Sequence, residues 1–216
     1  MMVAGEITAP KAAALPFLCS LSLLVVHWLA QYFYSWSLVT HTSEILGLYL
    51  IVHGTIMIGM YSLVRRDRQH CSYFRAVVRG LLGFPIGALV MAFGAIVLGA
   101  PVGIRYLTRT VYWSLLMSLF TFVPLTCTFG SSSADWHRIL AHFKPEESLD
   151  ALVSLPAYGS VIGAWIGAWP MPLDWERPWQ EWPICVTYGA VAGYLVGALS
   201  SMVFVLIHGP VHVKED

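Results

Sequence analysis

Glycine recurs at every fourth position in two apolar stretches, Gly159-Ser-Val-Ile-Gly163-Ala-Trp-Ile-Gly167 and Gly189-Ala-Val-Ala-Gly193-Tyr-Leu-Val-Gly197. Because an α-helix turns once per 3.6 residues, this spacing places the three glycines of each stretch on one helix face. Inside a membrane, small residues at this spacing let two helix backbones approach closely. The pattern therefore predicts two tightly packed membrane helices joined by the segment between them.

The joining segment is short, charged and rich in tryptophan. It reads Pro170-Met-Pro-Leu-Asp174-Trp-Glu176-Arg177-Pro-Trp179-Gln-Glu-Trp182-Pro183. The carboxylates of Asp174 and Glu176, on either side of Trp175, would suit an amine headgroup, because an ammonium group is attracted to carboxylates and to an indole face. Alternatively, Arg177 neutralises its acidic neighbours and the tryptophans anchor the turn at the membrane surface. We favour the second, structural interpretation.

The composition is that of a membrane protein. Of the 216 residues, 57% are hydrophobic and 11% are charged, and the mean hydropathy is +0.69. Soluble domains usually carry about 25% charged residues, so we expect lipid to surround most of this chain. The formal net charge is zero, so the chain lacks the excess of basic residues that is typical of nucleic-acid-binding proteins. The four cysteines show no C-x-x-C spacing, which predicts neither a disulfide nor a thiolate metal site.

Hydropathy divides the chain into apolar segments long enough to cross a membrane. We predict six spans, at about 12–34, 44–64, 77–99, 109–129, 152–169 and 184–207. A further helix is predicted at about 133–144, where Trp136, Ile139, Leu140 and Phe143 recur at helical spacing. This helix is amphipathic and suited to the membrane surface. The predicted fold is a single all-α, polytopic membrane domain over residues 1–216.

Basic residues are distributed unequally between the two sides of the predicted spans. Because the number of spans is even, both termini fall on one side. That side holds Lys11, Arg65, Arg66, Arg68, Arg75, Arg79, Arg138, Lys144 and Lys214, and the other holds Arg105, Arg109 and Arg177. By the positive-inside rule this asymmetry predicts cytosolic termini. The segment 170–183 would then face the lumen or the exterior.

Polar residues inside the spans offer few candidates for chemistry. His27 and His53 lie at similar depths in the first and second spans and could meet there. The alternative is that each is neutral and hydrogen-bonded to a neighbouring helix or to a partner. The sequence contains no HExxH motif, no phosphate-binding glycine loop and no serine nucleophile motif. We therefore predict no catalytic residue, metal or other cofactor in this chain.

The hairpin also resembles a known family. The run PLDWERPWQ at 172–180, with the glycine stretch that precedes it, resembles the PIG-F family of glycosylphosphatidylinositol (GPI) anchor biosynthesis. Shorter similarities extend this resemblance over roughly residues 99–200, at Gly99-Ala-Pro101, Phe120-Thr-Phe-Val-Pro124, Gly130 and Trp136. Residues 1–98 match the family only in hydropathy.

The resemblance implies a multi-pass protein of the endoplasmic reticulum membrane. PIG-F proteins are non-catalytic subunits of GPI ethanolamine phosphate transferase. They associate with a large catalytic subunit, of the PIG-O or PIG-G kind, that transfers phosphoethanolamine from phosphatidylethanolamine to GPI mannose in a metal-dependent lumenal domain. We therefore expect a stabilising subunit without activity of its own, in contact with membrane lipids. The alternatives are a stand-alone lipid or small-molecule transporter, and an integral-membrane phosphotransferase, which would need metal ligands.

Candidate contact residues lie on the hairpin. Its glycines either only hold the two helices together or also dock a helix of the partner. The candidates for contact with the partner or with lipid are Gly159, Gly163, Gly167, Gly189, Gly193, Gly197, Trp165, Trp169, Asp174, Trp175, Glu176, Arg177, Trp179 and Trp182.

Overall fold

Membrane-length helices account for most of the chain. A computed structural model describes residues 5–142 and 147–213. Within these ranges, six helical segments are long and apolar enough to cross a membrane: Ala9–Tyr34, Thr42–Leu63, Tyr73–Val97, Ile104–Phe129, Ser148–Ala168 and Ile184–His208. The six predicted spans and the all-α polytopic fold are confirmed.

Two of the spans are interrupted in their hydrogen bonding. In chain order the helices are α1 (Ala9–Tyr34), α2 (Thr42–Leu48), α3 (Gly54–Leu63), α4 (Tyr73–Val97), α5 (Ile104–Phe120), α6 (Phe122–Phe129), α7 (Ser133–His142), α8 (Ser148–Ala168) and α9 (Ile184–His208). A π-helical turn, Tyr49–His53, joins α2 to α3 within the second span. The fourth span consists of α5 and α6, which meet at Thr121.

Several helices begin earlier than hydropathy predicts. The third span begins at Tyr73 rather than 77, because the Ser72 hydroxyl caps α4 by accepting the backbone N–H of Arg75 at 3.3 Å. The fifth begins at Ser148 rather than 152, because its first turn is capped by the side chains of Glu147 and Asp150. The fourth begins at Ile104 rather than 109. Each added turn carries a charged side chain, so hydropathy assigned it to a loop.

The helices pack around a core formed by the fourth span. Helix α9 packs between α8 and α1, and α1 leads into the second span. The fourth span is the most enclosed, whereas α4 lies against α5 and α6 and is the most exposed of the spans. Glycines at positions 80, 83 and 87 of α4 face the side chains of Cys127, Thr126 and Ser118. These glycines let α4 approach the fourth span closely.

Aromatic side chains fill the centre of the bundle. The rings of Phe120 and Tyr194 stack with centroids 4.4 Å apart, and the ring of His53 stands steeply inclined to both. The Tyr61 hydroxyl donates a hydrogen bond of 3.0 Å to the carbonyl of Leu152. These contacts join the second, fourth, fifth and sixth spans, so the core is shared by most of the bundle.

Helix α7 is the predicted amphipathic helix. The hydroxyl of Ser132 accepts the backbone N–H of Asp135 at 3.4 Å, as expected of a capping serine. On the apolar side, Ile139 is buried, and the indole N–H of Trp136 donates to the carbonyl of Gly130 at 2.8 Å. The side chain of Leu140, and Phe143, Lys144 and Lys214, lie outside the described residues.

The charged side of α7 is tied to the bundle by ion pairs. Arg138 lies against Asp150 at the start of α8, with Nη2 and Oδ1 2.9 Å apart, and Asp150 is only 2% exposed. Arg66 lies against Asp135, which also contacts Arg138 at 3.3 Å. Burial acts to lower the pKa of Arg138, but the hydrogen bonds and charges of Asp150 and Asp135 outweigh it and raise that pKa. This network fixes α7 across the end of the bundle.

A short strand pair brings the two ends of the described chain together. Strand β1 (Gly5–Ile7) pairs antiparallel with β2 (Val211–Val213), with Gly5 opposite Val213 and Ile7 opposite Val211. Hydropathy did not predict these strands, because three residues are too few to show a periodicity. The pair places both ends at one end of the bundle, as an even number of spans requires.

Candidate functional site: the tryptophan-rich turn on the α8–α9 hairpin

The tryptophan-rich turn, residues 170–183, is organised around a buried glutamine. The side-chain amide of Gln180 donates to the carbonyls of Pro170 and Leu173, at 2.6 and 2.9 Å. Its oxygen accepts the backbone N–H of Arg177 at 2.8 Å. One side chain thus holds three points of the turn, and its position is set by the short helical turn Pro178–Gln180. The turn therefore has a defined shape.

The end of the turn is attached to α5. The indole N–H of Trp182 donates to the hydroxyl of Thr110 at 2.9 Å, and the ring is buried against Trp113 with centroids 5.0 Å apart. The carboxylate of Glu181 lies 2.9 Å from the guanidinium of Arg109 and 3.8 Å from that of Arg105. The hairpin and the fourth span are therefore joined at this end of the bundle by both packing and charge.

The two acidic residues of the hypothetical amine site are exposed. Asp174, Glu176 and Arg177 all present their side chains to solvent. We expected Arg177 to neutralise its acidic neighbours, but among the described residues it forms no ion pair with either. The acidic residue of the turn that is neutralised is Glu181, because it alone lies beside the basic residues at the start of α5. The amine site itself stays a prediction.

Three tryptophans project from the hairpin near the turn. Trp165, Trp169 and Trp175 are 60%, 68% and 57% exposed. The rings of Trp165 and Trp169 lie with centroids 6.1 Å apart, and Trp175 lies 6.0 Å from the half-buried Trp179. Large aromatic side chains in such positions suit either the membrane interface or a protein partner.

The six glycines of the two stretches face one another between α8 and α9. A Cβ atom added at any of them would lie closer than 3.0 Å to a backbone atom of the opposite helix. At Gly167, for example, it would lie 2.6 Å from the carbonyl oxygen of Cys185. The two backbones are thus in direct contact along this glycine seam. The seam is occupied within the chain, so a partner would meet the outer faces of the hairpin.

The acidic residues and histidines do not converge on a metal site in the described residues. No group of three or more histidine, cysteine, aspartate or glutamate side chains is arranged to hold a metal ion there. At the end of the bundle that carries the turn, His41 stacks on Trp36 and hydrogen-bonds Thr40. All four cysteines are buried thiols.

Comparison with known proteins identifies the family. The sequence model of the GPI biosynthesis protein family Pig-F matches residues 20–202. The chain belongs to the Pig-F family. The match includes part of the first span and all of the second and third, a region whose resemblance was limited to hydropathy. No solved structure matches this Pig-F chain.

Curated relatives resemble parts of the chain. The human protein named "GPI ethanolamine phosphate transferase, stabilizing subunit" is 37% identical over 107 residues, covering 50% of this chain and 48% of the relative. Glycosylphosphatidylinositol anchor biosynthesis protein 11 of Yarrowia lipolytica is 40% identical over 114 residues, covering 52% and 49%. A PIGF/3-ketodihydrosphingosine reductase fusion protein of Schizosaccharomyces pombe is 36% identical over 125 residues, covering 58% and 25%. The chain spans about half the length of the first two relatives.

The two intramembrane histidines of this Pig-F chain connect the same pair of spans. His27 of α1 shares a hydrogen bond of 2.7 Å with the Tyr49 hydroxyl. His53 shares one of 2.8 Å with the Ser22 hydroxyl of α1. Each histidine thus bonds a residue of the neighbouring span, as our structural alternative expected, and they do not bond each other. Their similar depth therefore does not bring the two histidines into a hydrogen bond with each other.

Two residues that support the turn, Gln180 within it and Thr110 on α5, were not predicted from the sequence. Gln180 did not stand out because a single amide has no characteristic motif, although a polar side chain among prolines and tryptophans could have suggested a turn organiser. Thr110 was missed because its role depends on Trp182, far away in the chain.

Proposed function

We propose that this chain is a non-catalytic, stabilising membrane subunit of a GPI ethanolamine phosphate transferase. In this proposal it associates with a large catalytic subunit of the PIG-O or PIG-G kind. That partner transfers phosphoethanolamine from phosphatidylethanolamine to GPI mannose and carries any metal the reaction needs. The chain resides in the endoplasmic reticulum membrane, with both termini cytosolic and the tryptophan-rich turn in the lumen.

The observation that carries this proposal is membership of the Pig-F family over residues 20–202. The human relative is named as a stabilizing subunit of this transferase, which supports an accessory role. The hairpin that most resembles the family, 159–197, is also the part of the molecule with the closest helix–helix contact.

The architecture suits a subunit that works by presenting a fixed surface. The glycine seam holds α8 to α9, and Gln180 and Trp182 fix the turn between them. The hairpin can therefore present Trp165, Trp169 and Trp175 to a partner without first becoming ordered, which lowers the entropic cost of association. We assign these three tryptophans as the partner-contact surface.

The test is recovery of a defined complex from membranes. The tagged full chain is extracted in a mild detergent, and the recovered material is assayed for a stoichiometric GPI ethanolamine phosphate transferase catalytic subunit. The Trp165→Ala/Trp169→Ala variant should lose most of that subunit. The matched control, Trp28→Ala, removes a tryptophan of α1 that is 56% exposed and should retain it.

Different outcomes separate the candidate functions. Stoichiometric recovery that depends on the hairpin tryptophans supports the accessory role. A chain recovered alone, which moves a lipid or small molecule when reconstituted, would overturn it in favour of a transporter. Equal loss in the hairpin and Trp28→Ala variants would disprove the assignment of the contact surface.

A further inference from the structure

A polar cavity lies at the end of the bundle opposite the tryptophan-rich turn. Its volume is about 500 Å³, and it opens between the loop 64–72, the start of α4 and the 130–132 link to α7. Arg65, Arg66, Arg79, Ser131 and Ser132 contribute to its lining, with Asp67 and Asp135 as the acidic members. Nothing in the proposed partner contact or in the hairpin uses this cavity.

The acidic side chains of the cavity are already engaged. Asp135 is held by Arg66 and by Arg138, which lies outside the lining. Asp67 accepts the backbone N–H of His70 at 2.9 Å, which lowers its pKa although slight burial opposes this. Three arginines against these two carboxylates leave the lining with an excess of positive charge.

Among the three arginines of the cavity lining, Arg79 has the weakest acceptor. Within the described residues, its guanidinium donates only to the sulfur of Cys71, at 3.3 Å. A thiol is a weak acceptor, whereas a guanidinium offers five N–H donors. By comparison, Arg65 donates to the carbonyls of Cys71 and Ser62, and Arg66 is paired with Asp135. Arg79 therefore has donors available to a ligand.

The backbone beside Arg79 keeps room for its side chain. Gly130 has φ +64°, a conformation that favours glycine. A Cβ at this position would lie 2.6 Å from Nη1 of Arg79. The glycine turn thus does two things, since it starts the link to α7 and lets the guanidinium lie against the backbone.

Exposed apolar side chains stand at both ends of the loop 64–72, which contributes to the cavity lining. Leu63, at the end of α3, and Phe74, at the start of α4, are both exposed on either side of the loop 64–72. A lipid whose headgroup entered the cavity could therefore lay its acyl chains along neighbouring apolar surface. A soluble ion would not use that surface.

We propose that this cavity binds a phosphate-bearing headgroup with a net negative charge, with Arg79 as its principal ligand and Arg65 and Ser131 beside it. Arginine suits this role because its planar fork of donors matches the oxygens of a phosphate. The site is distinct from the proposed transferase association. It lies at the end of the bundle that also carries the paired strands β1 and β2.

The binding test uses the purified full chain in detergent and native mass spectrometry. Phosphatidic acid, a phosphate monoester lipid, is compared with phosphatidylcholine, which has no net charge. Wild type should retain phosphatidic acid in preference. Arg79→Gln should weaken that retention about tenfold, as expected for loss of a charge-assisted hydrogen bond. The control, Arg75→Gln, removes an exposed arginine of the same helix that is outside the cavity lining, although it donates to the carbonyl of the lining residue His70 at 2.6 Å. Because the charge of Arg79 is kept, this variant should stay within about twofold of wild type.

A second variant protects the test against misfolding. Ser131→Glu changes an exposed residue on the cavity lining and adds a carboxylate where the ligand's negative charge would lie. It should abolish preferential retention while leaving the thermal unfolding midpoint near that of wild type. If Arg79→Gln does not fold, Ser131→Glu decides the question.

A second experiment with a soluble phosphate compound distinguishes a lipid headgroup from a free ligand. Glycerol 3-phosphate at millimolar concentration is added in place of the lipid, and the unfolding midpoint is followed. A rise in wild type but not in Ser131→Glu, without lipid retention, supports the site with a soluble ligand. The proposal is overturned if neither phosphate source distinguishes wild type from Ser131→Glu, or if Arg75→Gln loses as much binding as Arg79→Gln.

Discussion

Trp182 and Thr110 share a hydrogen bond of 2.9 Å that spans 72 positions of the chain. The bond joins the end of the tryptophan-rich turn to the first turns of the fourth span. Because the Trp182 ring is also buried against Trp113, the hairpin is attached to the most enclosed part of the bundle. The shape of the turn and the packing of the core are therefore coupled.

This coupling can be measured with conservative substitutions. Trp182→Phe and Thr110→Val should each lower the free energy of unfolding by about 1 kcal/mol, since each removes one buried hydrogen bond while keeping most of the packing. The double variant should lose less than the sum of the two, because both changes remove the same bond. Thermal unfolding of the purified chain in detergent provides the comparison. Strict additivity would show that the two side chains act independently.

Larger side chains in the glycine seam should separate α8 from α9. Gly163→Leu and Gly193→Leu each force the opposite backbone away, at a cost of a few kcal/mol by loss of close packing. Steady-state protein level and recovery of the catalytic partner should both fall. Gly94→Leu is the matched control, because a Cβ at that position of α4 meets no atom within 4 Å. Normal abundance and normal partner recovery for both seam variants would contradict the importance of the close contact.

Substitutions of the acidic and of the aromatic residues of the turn should have different effects on the complex. Asp174→Asn with Glu176→Gln keeps side-chain shape but removes charge, and it should be nearly silent because both carboxylates are exposed. Trp175→Ala with Trp179→Ala should instead reduce recovery of the complex, since it removes the paired rings of the turn. Complex recovery and phosphoethanolamine transfer are measured on both variants. An intact but inactive carboxamide variant would favour the amine-site interpretation.

The unequal distribution of basic residues predicts the orientation of the bundle. An N-glycosylation acceptor inserted between Pro172 and Trp179 should be modified if the turn is lumenal, and one placed after Lys214 should remain unmodified. Gel mobility before and after deglycosylation shows whether each acceptor is glycosylated. Modification of the second site alone would reverse the orientation.

The ion pair that holds α7 should be sensitive to loss of one partner. Arg138→Met leaves the buried carboxylate of Asp150 without its main partner and should lower the free energy of unfolding by about 3 kcal/mol. Adding Asp150→Asn should recover part of that loss, because the uncompensated charge is removed. Thermal unfolding of the single and double variants checks this. A double variant less stable than Arg138→Met would mean that the charge of Asp150 is not the source of the cost.

The spans and the glycine seam were predictable because each has a local pattern. A run of apolar residues marks a span wherever it packs, and glycines four residues apart share a face in any helix. The residues at which the spans begin were harder to predict from hydropathy. The first turns of α4, α5 and α8 carry charged residues, and their helical state depends on caps or on contacts with neighbouring elements.

The hydrogen bonds and ion pairs that hold the tryptophan-rich turn could not be predicted from local sequence patterns. Gln180 bonds carbonyls seven and ten residues before it, and Arg109 meets Glu181 only once the hairpin is docked on α5. Such contacts leave no periodic trace in the sequence. The histidines illustrate the same limit, since their depth was predictable but their partners, Tyr49 and Ser22, were not.

The glycine seam has a consequence for the order in which the bundle comes apart. Side chains that become fixed when helices associate lose rotational freedom, and that loss opposes association. Glycine has no side chain to immobilise, so contact along the seam of α8 and α9 avoids this entropic penalty at six positions. Heating, which increases the weight of every entropic term, therefore acts less strongly on this pair than on the side-chain-filled interfaces around it. The hairpin should be the last pair of helices to separate.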